Sequence, residues 1–444
     1  MRSPRTLVIS GYGFGQNSGG PITLSNLFYG WHKDALAIIC SDPNGSDASI
    51  TPNTYHATRS IRIPGIGLRY ELRTRSELYR DINAMGSCLV MHGPKHRLRQ
   101  VLGEFVRRLG VIGIFESFPI KADMDRFIRH FNPEVIYTHP GNIAFASLAL
   151  EVHRKYRIPI VVHIMDDLPN VLFQEGYLSG FCKRRMYDLL FQLCQAAFIC
   201  MGISRTMCQE YSEKFGKDFL CFHNPVNPVF LKRNSGCSRT MGKGNVLRIS
   251  YVGRVGWGVS ESLLDICKAV DQLNSEGMHV IFDIYVNDLS LLGPLFPRIP
   301  GEHGIINFRE APKDPEGIAD VLQDSSILVL PVDFDEKSIA AIRLSMPTKI
   351  PAYLASGKPV LLYGPTEVGF VRDAMEGKWA LVVNRRSLKD LTKTIGSLCS
   401  DAHMCNSLLG KASLKIKEFD AEMVRAKFRS CLEKTAGNQT GSKH

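Results

Sequence analysis

The 444-residue chain is 44% hydrophobic and 22% charged, with a mean hydropathy of −0.05. That balance excludes a disordered or fibrous protein, and at about 150 residues per domain it sets an expectation of two or three domains. No apolar run approaches the ~18 residues that span a bilayer, and the opening MRSPRTLVISG holds too short an apolar run for a signal-peptide core. The formal charge of +11 is concentrated, because Arg59 to Gly110 holds eleven Arg/Lys against four Asp/Glu, a local +7 that suits an anionic partner.

Short apolar runs alternate with helical patterns, which predicts parallel sheets wound with helices. In the first half the expected strands are Thr6 to Ser10, Ala35 to Cys40, Val111 to Phe115, Val135 to Thr138, Ile158 to Ile164 and Ala197 to Met201. Between two of them IAFASLALEVHRKY repeats Phe145, Leu148, Val152 and Tyr156 at helical spacing. Residues 226–246, rich in Pro, Asn, Gly and Lys, read as a linker. A second series follows: Leu247 to Val252, Val280 to Val286, Ile305 to Phe308, Ile327 to Leu330, Pro359 to Tyr363 and Ala380 to Val383. The expected division is an α/β domain over 1–225, a second over 247–400, a helical segment over 401–434 and a disordered tail over 435–444. The twelve cysteines lie in apolar runs without a CxxC pair, which reads as buried reduced thiols of a cytosolic protein.

Two such domains facing each other place a ligand crevice at the carboxyl ends of their strands. The first loop, GYGFGQNSGGP, lets backbone approach a ligand and leads through Gly19 and Gly20 into a helix, but it has neither the dinucleotide nor the P-loop spacing. IPIVVHIMDDLP sets His163, Asp166 and Asp167 at a strand end; a buried histidine with satisfied bonds competes with a functional one at 163, and Asp166 is the stronger candidate. ISYVGR places Arg254 at another strand end, where a guanidinium neutralises a diphosphate. In SMPTKIPAYLASGKPV, Thr348 reads as the N-cap of a short helix with Lys349 in its first turn. Asp333-Phe-Asp335 has the form of a metal-binding triplet but is read as a solvated loop. PKHRLRQVLGEFVRRLG, Pro94 to Gly110, is read equally as a packed helix with a basic face or as one lying on an anionic bilayer. Nucleic acid is not the expected partner, because no recognition module accompanies the charge.

Gly19-Gly20-Pro21, Asp166, ISRTMCQEYSEKFG followed by Asn224-Pro-Val-Asn227, Gly253-Arg254 and PTKIPAYLASGKPV, in that order, resemble the GT-B glycosyltransferases, and among them the retaining family 4 (glycosyl transferases group 1). The resemblance covers nearly the whole chain. It implies two Rossmann-like doubly wound domains facing a central cleft, with residues 1–225 on the acceptor side and 247–400 binding a nucleotide sugar. The implied reaction moves a sugar from that donor to a glycan or lipid-linked acceptor, with retention and without metal or further cofactor. Arg254, Thr348 and Lys349 would hold the diphosphate, Asp166 and His163 would be the catalytic positions, and Gly19 and Gly20 would line the cleft. The implied setting is polysaccharide biosynthesis in the cytoplasm, peripheral at the inner face of the membrane, with residues 59–110 toward an anionic surface. The chain departs from the family at Leu344 and Ala352, where two glutamates are usual, at Val259, where a lysine is usual, and at Met165, where a histidine usually precedes the aspartate. These departures keep two alternatives open: an inactive GT-B-fold nucleotide-sugar-binding protein, or a nucleotide-sugar epimerase.

Overall fold

The computed structural model describes residues 3–15, 19–41, 46–62, 69–72, 113–114, 116–232, 246–292 and 305–438, with backbone alone at Arg59, 61–62, 69–72 and Leu291. It divides into two compact units, Met1–Phe222 with Arg425–His444, and His223–Val424.

The first unit is built on a seven-stranded sheet. Its strands are β1 (Thr6–Ser10), β2 (Leu36–Cys40), β3 (Asn53–His56), β7 (Val135–His139), β8 (Ile160–Ile164), β9 (Ile199–Gly202) and β10 (Phe219–Cys221), in the order β10-β9-β8-β7-β1-β2-β3. Every pairing in it is parallel. Central strands β1, β2, β7 and β8 are buried at every residue, as a sheet covered on both faces requires. Beside it β4 (Arg59–Arg62), β5 (Arg69–Leu72) and β6 (Glu116–Ser117) form a small antiparallel sheet. The helices follow from local signals: Asn142 caps Ile143–Tyr156 by accepting from Phe145 N–H, Ser204 caps Arg205–Phe215, and Gly216 ends the latter in the left-handed region.

The second unit carries β11 (Leu247–Val252), β12 (Val280–Val286), β13 (Ile306–Glu310), β14 (Ile327–Pro331), β15 (Val360–Tyr363) and β16 (Leu381–Val383), all parallel, in the order β13-β12-β11-β14-β15-β16. On one face of the sheet the helix Ser260–Ser275 buries Leu263, Cys267, Val270 and Leu273. Both sheets wind outward from their first strand and then reverse. The reversal falls between β1 and β7 in the first unit and between β11 and β14 in the second, and such a switch point opens a crevice at the strands' carboxyl ends.

Several expectations need correction. Of the expected strand Val111 to Phe115, the described residues Gly113 and Ile114 form a turn, and the strand begins at Glu116. β3 and β10 were not expected: NTYH is polar, and FLC is too short to show a pattern. The expected linker 226–246 opens as packed structure, with Val226 in the second core and a helix over Pro228–Lys232, while 233–245 lie outside the described residues. The segment 401–434 contains the helices Ala402–Lys415 and Ala421–Gly437, and from Arg425 onward the second belongs to the first unit. There Phe428 packs edge-on against Phe28, Trp31, Tyr137 and Phe222, and Arg425 donates to the Asn26 carbonyl at 2.8 Å. The tail expected over 435–444 is helical as far as Gly437, with Thr435 buried. Nearly all of the basic segment, including Pro94 to Gly110, lies outside the described residues. Among the described residues ten cysteines are thiols outside any disulfide, and all but Cys221 are buried.

Candidate functional site

The second unit's switch point gathers two cations. β11 ends in Tyr251-Val252-Gly253-Arg254, and the turn before the helix Ile350–Ala355 supplies Thr348 and Lys349. The Lys349 ammonium lies 4.1 Å from the centre of the Tyr251 ring. It also rests on Gly253, where a Cβ would come within 2.2 Å of Nζ, so a larger residue there would displace the ammonium from this position. Tyr251 donates its hydroxyl hydrogen to the Arg254 carbonyl at 2.6 Å, and Val252 N–H donates to the Tyr353 hydroxyl at 3.0 Å, which ties strand end and helix together. Asn224 donates from Nδ2 to the Thr348 carbonyl at 3.2 Å. Arg254 itself is exposed. Among the described residues no carboxylate pairs with Arg254 or Lys349. Burial, helped by the Arg254 charge, lowers the Lys349 pKa to about 7. Two cations held together without a counter-ion make a site for an anion that brings its own charge.

The helix differs from expectation. Lys349, not Thr348, occupies the cap position, with helical dihedrals and no side-chain cap bond, and the helix is six residues long. Its dipole is correspondingly small, so the pull on an anion comes from the two side chains. Leu344 is fully buried and Ala352 packs against the core. In the loop after Arg254, Trp257 is exposed between Gly256 and Gly258, which have φ of 126° and 86°. Asp333 N–H donates to the Gly258 carbonyl at 2.9 Å and fixes that turn. Sequence reading passed over Trp257, although a tryptophan between two glycines in a loop was a visible signal.

The triplet Asp333-Phe-Asp335 is not a solvated loop in its first member. Asp333 is buried and accepts from Ser262 N–H at 2.8 Å, in the first turn of Ser260–Ser275, while Asp335 caps Glu336–Ile342 by accepting from Ser338 N–H at 3.0 Å. Each carboxylate serves a helix N-terminus.

In the first unit the switch point brings together Tyr12, His139 and Asp166. The Tyr12 and His139 ring centres are 5.2 Å apart, and the Asp166 charge acts on both. His139 Nδ1 lies 3.1 Å from the His163 carbonyl, which only accepts, so Nδ1 carries the proton and Nε2 keeps its lone pair. Burial lowers the His139 pKa, although Asp166 opposes the shift, and the ring is neutral at pH 7. Gly20 belongs to the cluster by its lack of a side chain, since a Cβ there would fall 2.2 Å from the Tyr12 ring; Gly19 opens the same helix, Gly19–Leu27. His163 stands apart from it. Its side chain is wholly buried, with Nδ1 2.7 Å from the Tyr137 hydroxyl and its ring edge-on to Phe222, so it packs the core. Asp167 is likewise buried, accepting from Tyr211 at 2.9 Å and Asn170 at 2.8 Å. Asp166 alone of the three is partly exposed. His139 and Tyr12 escaped the sequence reading, though His139 ends its strand at the edge where Asp166 follows β8.

No protein-family model matches the chain, and no curated protein matches it in sequence. Solved structures do match along its length. An α,α-trehalose 6-phosphate synthase from Burkholderia multivorans is 13% identical at a TM-score of 0.59, covering 100% of this chain and 99% of its own. WaaG, a glycosyltransferase involved in lipopolysaccharide biosynthesis, is 9% identical at 0.57, covering 96% and 99%. A structure described as trehalose-6-phosphate from E. coli bound with UDP-2-fluoro glucose is 12% identical at 0.56, covering 96% and 98%. With two parallel, doubly wound units matched end to end, this chain has the GT-B fold of these glycosyltransferases.

Proposed function

We propose that the protein is a glycosyltransferase that moves a sugar from a nucleotide-sugar donor to a glycan or lipid-linked acceptor. Fold alone does not name a reaction. The observation that carries this reading is the pair Arg254 and Lys349 at the end of β11, where the Arg254 charge acts on the Lys349 ammonium and neither has a carboxylate partner among the described residues. A nucleoside diphosphate leaving group develops negative charge as the bond to the sugar breaks, and fixed cations stabilise that charge more than they stabilise the intact donor. The UDP-2-fluoro glucose held by one structural neighbour fits such a donor. Retention follows from the proposed front-face course, in which the acceptor hydroxyl attacks on the side the diphosphate leaves. Asp166 and His139 at the first unit's switch point would orient hydroxyls of the acceptor. The two cations do the neutralising work often given to a metal ion, and the reading requires none.

A binding-only protein is the second reading, favoured by buried Leu344 and by Ala352 at positions where the resembling family carries glutamates. One screen separates the two. A panel of nucleotide sugars is assayed for thermal stabilisation and for nucleotide release with a glycolipid acceptor. Stabilisation with release and sugar transfer is the expected result; stabilisation without release establishes the binding protein, and a changed sugar still on its nucleotide establishes an epimerase.

A further inference from the structure

At the outer strands of the first sheet two thiols meet, and no step of the transfer reading uses them. β9 and β10 pair in parallel with Cys221 opposite Gly202, and paired positions on neighbouring strands send their side chains to the same face, about 5 Å apart. Gly202 has no side chain to send. Its place is taken by Cys208, from the first turn of the helix Arg205–Phe215: a Cβ on Gly202 would fall 2.8 Å from the Cys208 Sγ, which lies 3.7 Å from the Gly202 carbonyl oxygen. Cys208 Sγ therefore stands beside the Cys221 side chain, and the two thiols share a hydrogen bond. From that contact, side-chain rotation brings the sulfurs to the S–S length of about 2 Å.

The surroundings favour reaction at this pair. Among the described residues Cys221 is the one cysteine that is only half-buried, and Cys208 keeps 8% of its surface open. The Cys221 thiol donates to the Cys208 sulfur, which lowers the Cys208 pKa against the opposing effect of burial, and the Lys427 charge adds to the shift. The thiolate is the nucleophilic form of cysteine. Cys194 and Cys200 form a second hydrogen-bonded pair, with Cys200 Sγ 3.6 Å from the Cys194 carbonyl oxygen, but neither is more than 1% exposed. That pair is closed to a dissolved oxidant and serves as an internal comparison.

We propose that Cys208 and Cys221 are a modification site, a dithiol that hydrogen peroxide converts reversibly into a disulfide. The Cys208 thiolate attacks one peroxide oxygen and the O–O bond breaks; hydroxide leaves, takes up the proton that Cys208 gave up, and Cys208 becomes a sulfenic acid. The Cys221 sulfur then attacks Cys208 Sγ, the S–S bond forms as the S–O bond breaks, and the hydroxide leaves as water with the Cys221 proton. Two thiols are oxidised and one peroxide is reduced to two waters. Cys221 follows Cys208 by thirteen residues, so the bond closes a short loop, fastens the start of the helix to the end of β10 and stabilises the first unit. The inference stands apart from the transfer reading and goes beyond it.

The test treats the folded full chain with hydrogen peroxide, then unfolds it in urea with an alkylating agent so that every remaining thiol is labelled, and maps the peptides without reduction by mass spectrometry. A link between Cys208 and Cys221 is expected, formed ahead of any link between Cys194 and Cys200. The unfolding temperature of the oxidised chain should rise by a few degrees, and dithiothreitol should reverse both changes. Cys221→Ser, at a half-buried position, removes the second thiol; Cys208 then stops at the sulfenic acid and should take up dimedone about tenfold more than in the parent. Cys208 and Cys221 both recovered as alkylated thiols after peroxide, or a link that joins either of them to another cysteine, overturns the proposal. So does equal dimedone uptake at Cys208 in parent and variant, because a neighbouring thiol that closes the disulfide must shorten the life of the sulfenic acid.

Discussion

The two units repeat one winding order yet treat their polar residues in opposite ways. At the switch point of the second, Arg254 and Lys349 stand together with no carboxylate partner among the described residues. In the first, most polar groups near the switch point already bond to one another: His163 with Tyr137, His139 with the His163 carbonyl, Asp167 with Tyr211 and Asn170. The difference teaches where to look for ligand chemistry in a repeated scaffold. Satisfied polar clusters hold loops in place, whereas charge left uncompensated at a strand end waits for a ligand that supplies the opposite sign.

The sharpest way to break this comparison is to remove the exposed cation. Arg254→Ala should weaken nucleoside diphosphate binding by about ten- to a hundredfold, the worth of one or two charge-assisted hydrogen bonds, with transfer falling at least as far. The protein carries its own reporter, because Trp31 and Trp379 are buried and Trp257 is exposed three residues from Arg254. Iodide quenching of tryptophan emission should fall as diphosphate binds the parent and stay unchanged in the variant. Parental affinity in Arg254→Ala would take the diphosphate away from this strand end.

The first unit's half of the comparison predicts that neighbouring aspartates behave differently. Asp167→Asn keeps the shape but turns one acceptor into a donor facing the Tyr211 hydroxyl and the Asn170 amide, and should cost about 2 kcal/mol in a denaturant titration. Asp166→Asn, at a partly exposed position, should change stability by less than about 0.5 kcal/mol while lowering transfer. If both variants lose stability equally, Asp166 joins the satisfied cluster and the first unit contributes no acceptor site.

Much of this was legible in the sequence. The parallel winding could be read because buried strands carry apolar runs, as in TLVIS, LAIIC and ILVLP, and capped helices announce themselves through Asn142 and Ser204. Polar β3 and three-residue β10 could not, because their pairing comes from the sheet beside them and not from their own pattern. Arg254 and Lys349 were found from their places at a strand end and a helix start. What linked them, the Tyr251 ring under the ammonium and the bare Gly253 backbone, depends on contacts across about a hundred residues that no local pattern encodes. His163 misled for a related reason, since alternation shows that a side chain is buried but not that a tyrosine on the next strand already meets it.

A smaller effect sharpens the second unit's half. With a pKa near 7, Lys349 loses its charge as pH rises through neutrality, so diphosphate affinity should be greatest below pH 7 and fall several-fold by pH 8. Stability runs the other way. The unfolded lysine titrates near its ordinary 10.5, so between about 7 and 10.5 the unfolded chain binds more protons, and this group's contribution to stability rises with pH. Lys349→Met should flatten both trends relative to the parent. Parallel pH curves for the two proteins, in affinity and in unfolding temperature, would show that the ammonium is not held as described.

The smallest expected effect concerns the acidic pair Asp333 and Asp335. Asp335 caps Glu336–Ile342 and Asp333 serves the start of Ser260–Ser275, so their carboxylates complete helices and leave the cations of β11 uncompensated. Asp335→Ala should lower stability by about 1 kcal/mol, the usual cost of a lost N-cap. Because the cap lies outside the cation pair, transfer by the folded variant should match the parent, and adding chelator or manganese should change neither. The opposite pattern, parental stability with transfer lost and restored by manganese, would make the triplet a metal site. The second unit would then supply its own charge to the donor through a bound ion, and the contrast between an uncompensated strand end and a satisfied one would no longer separate the two halves of the molecule.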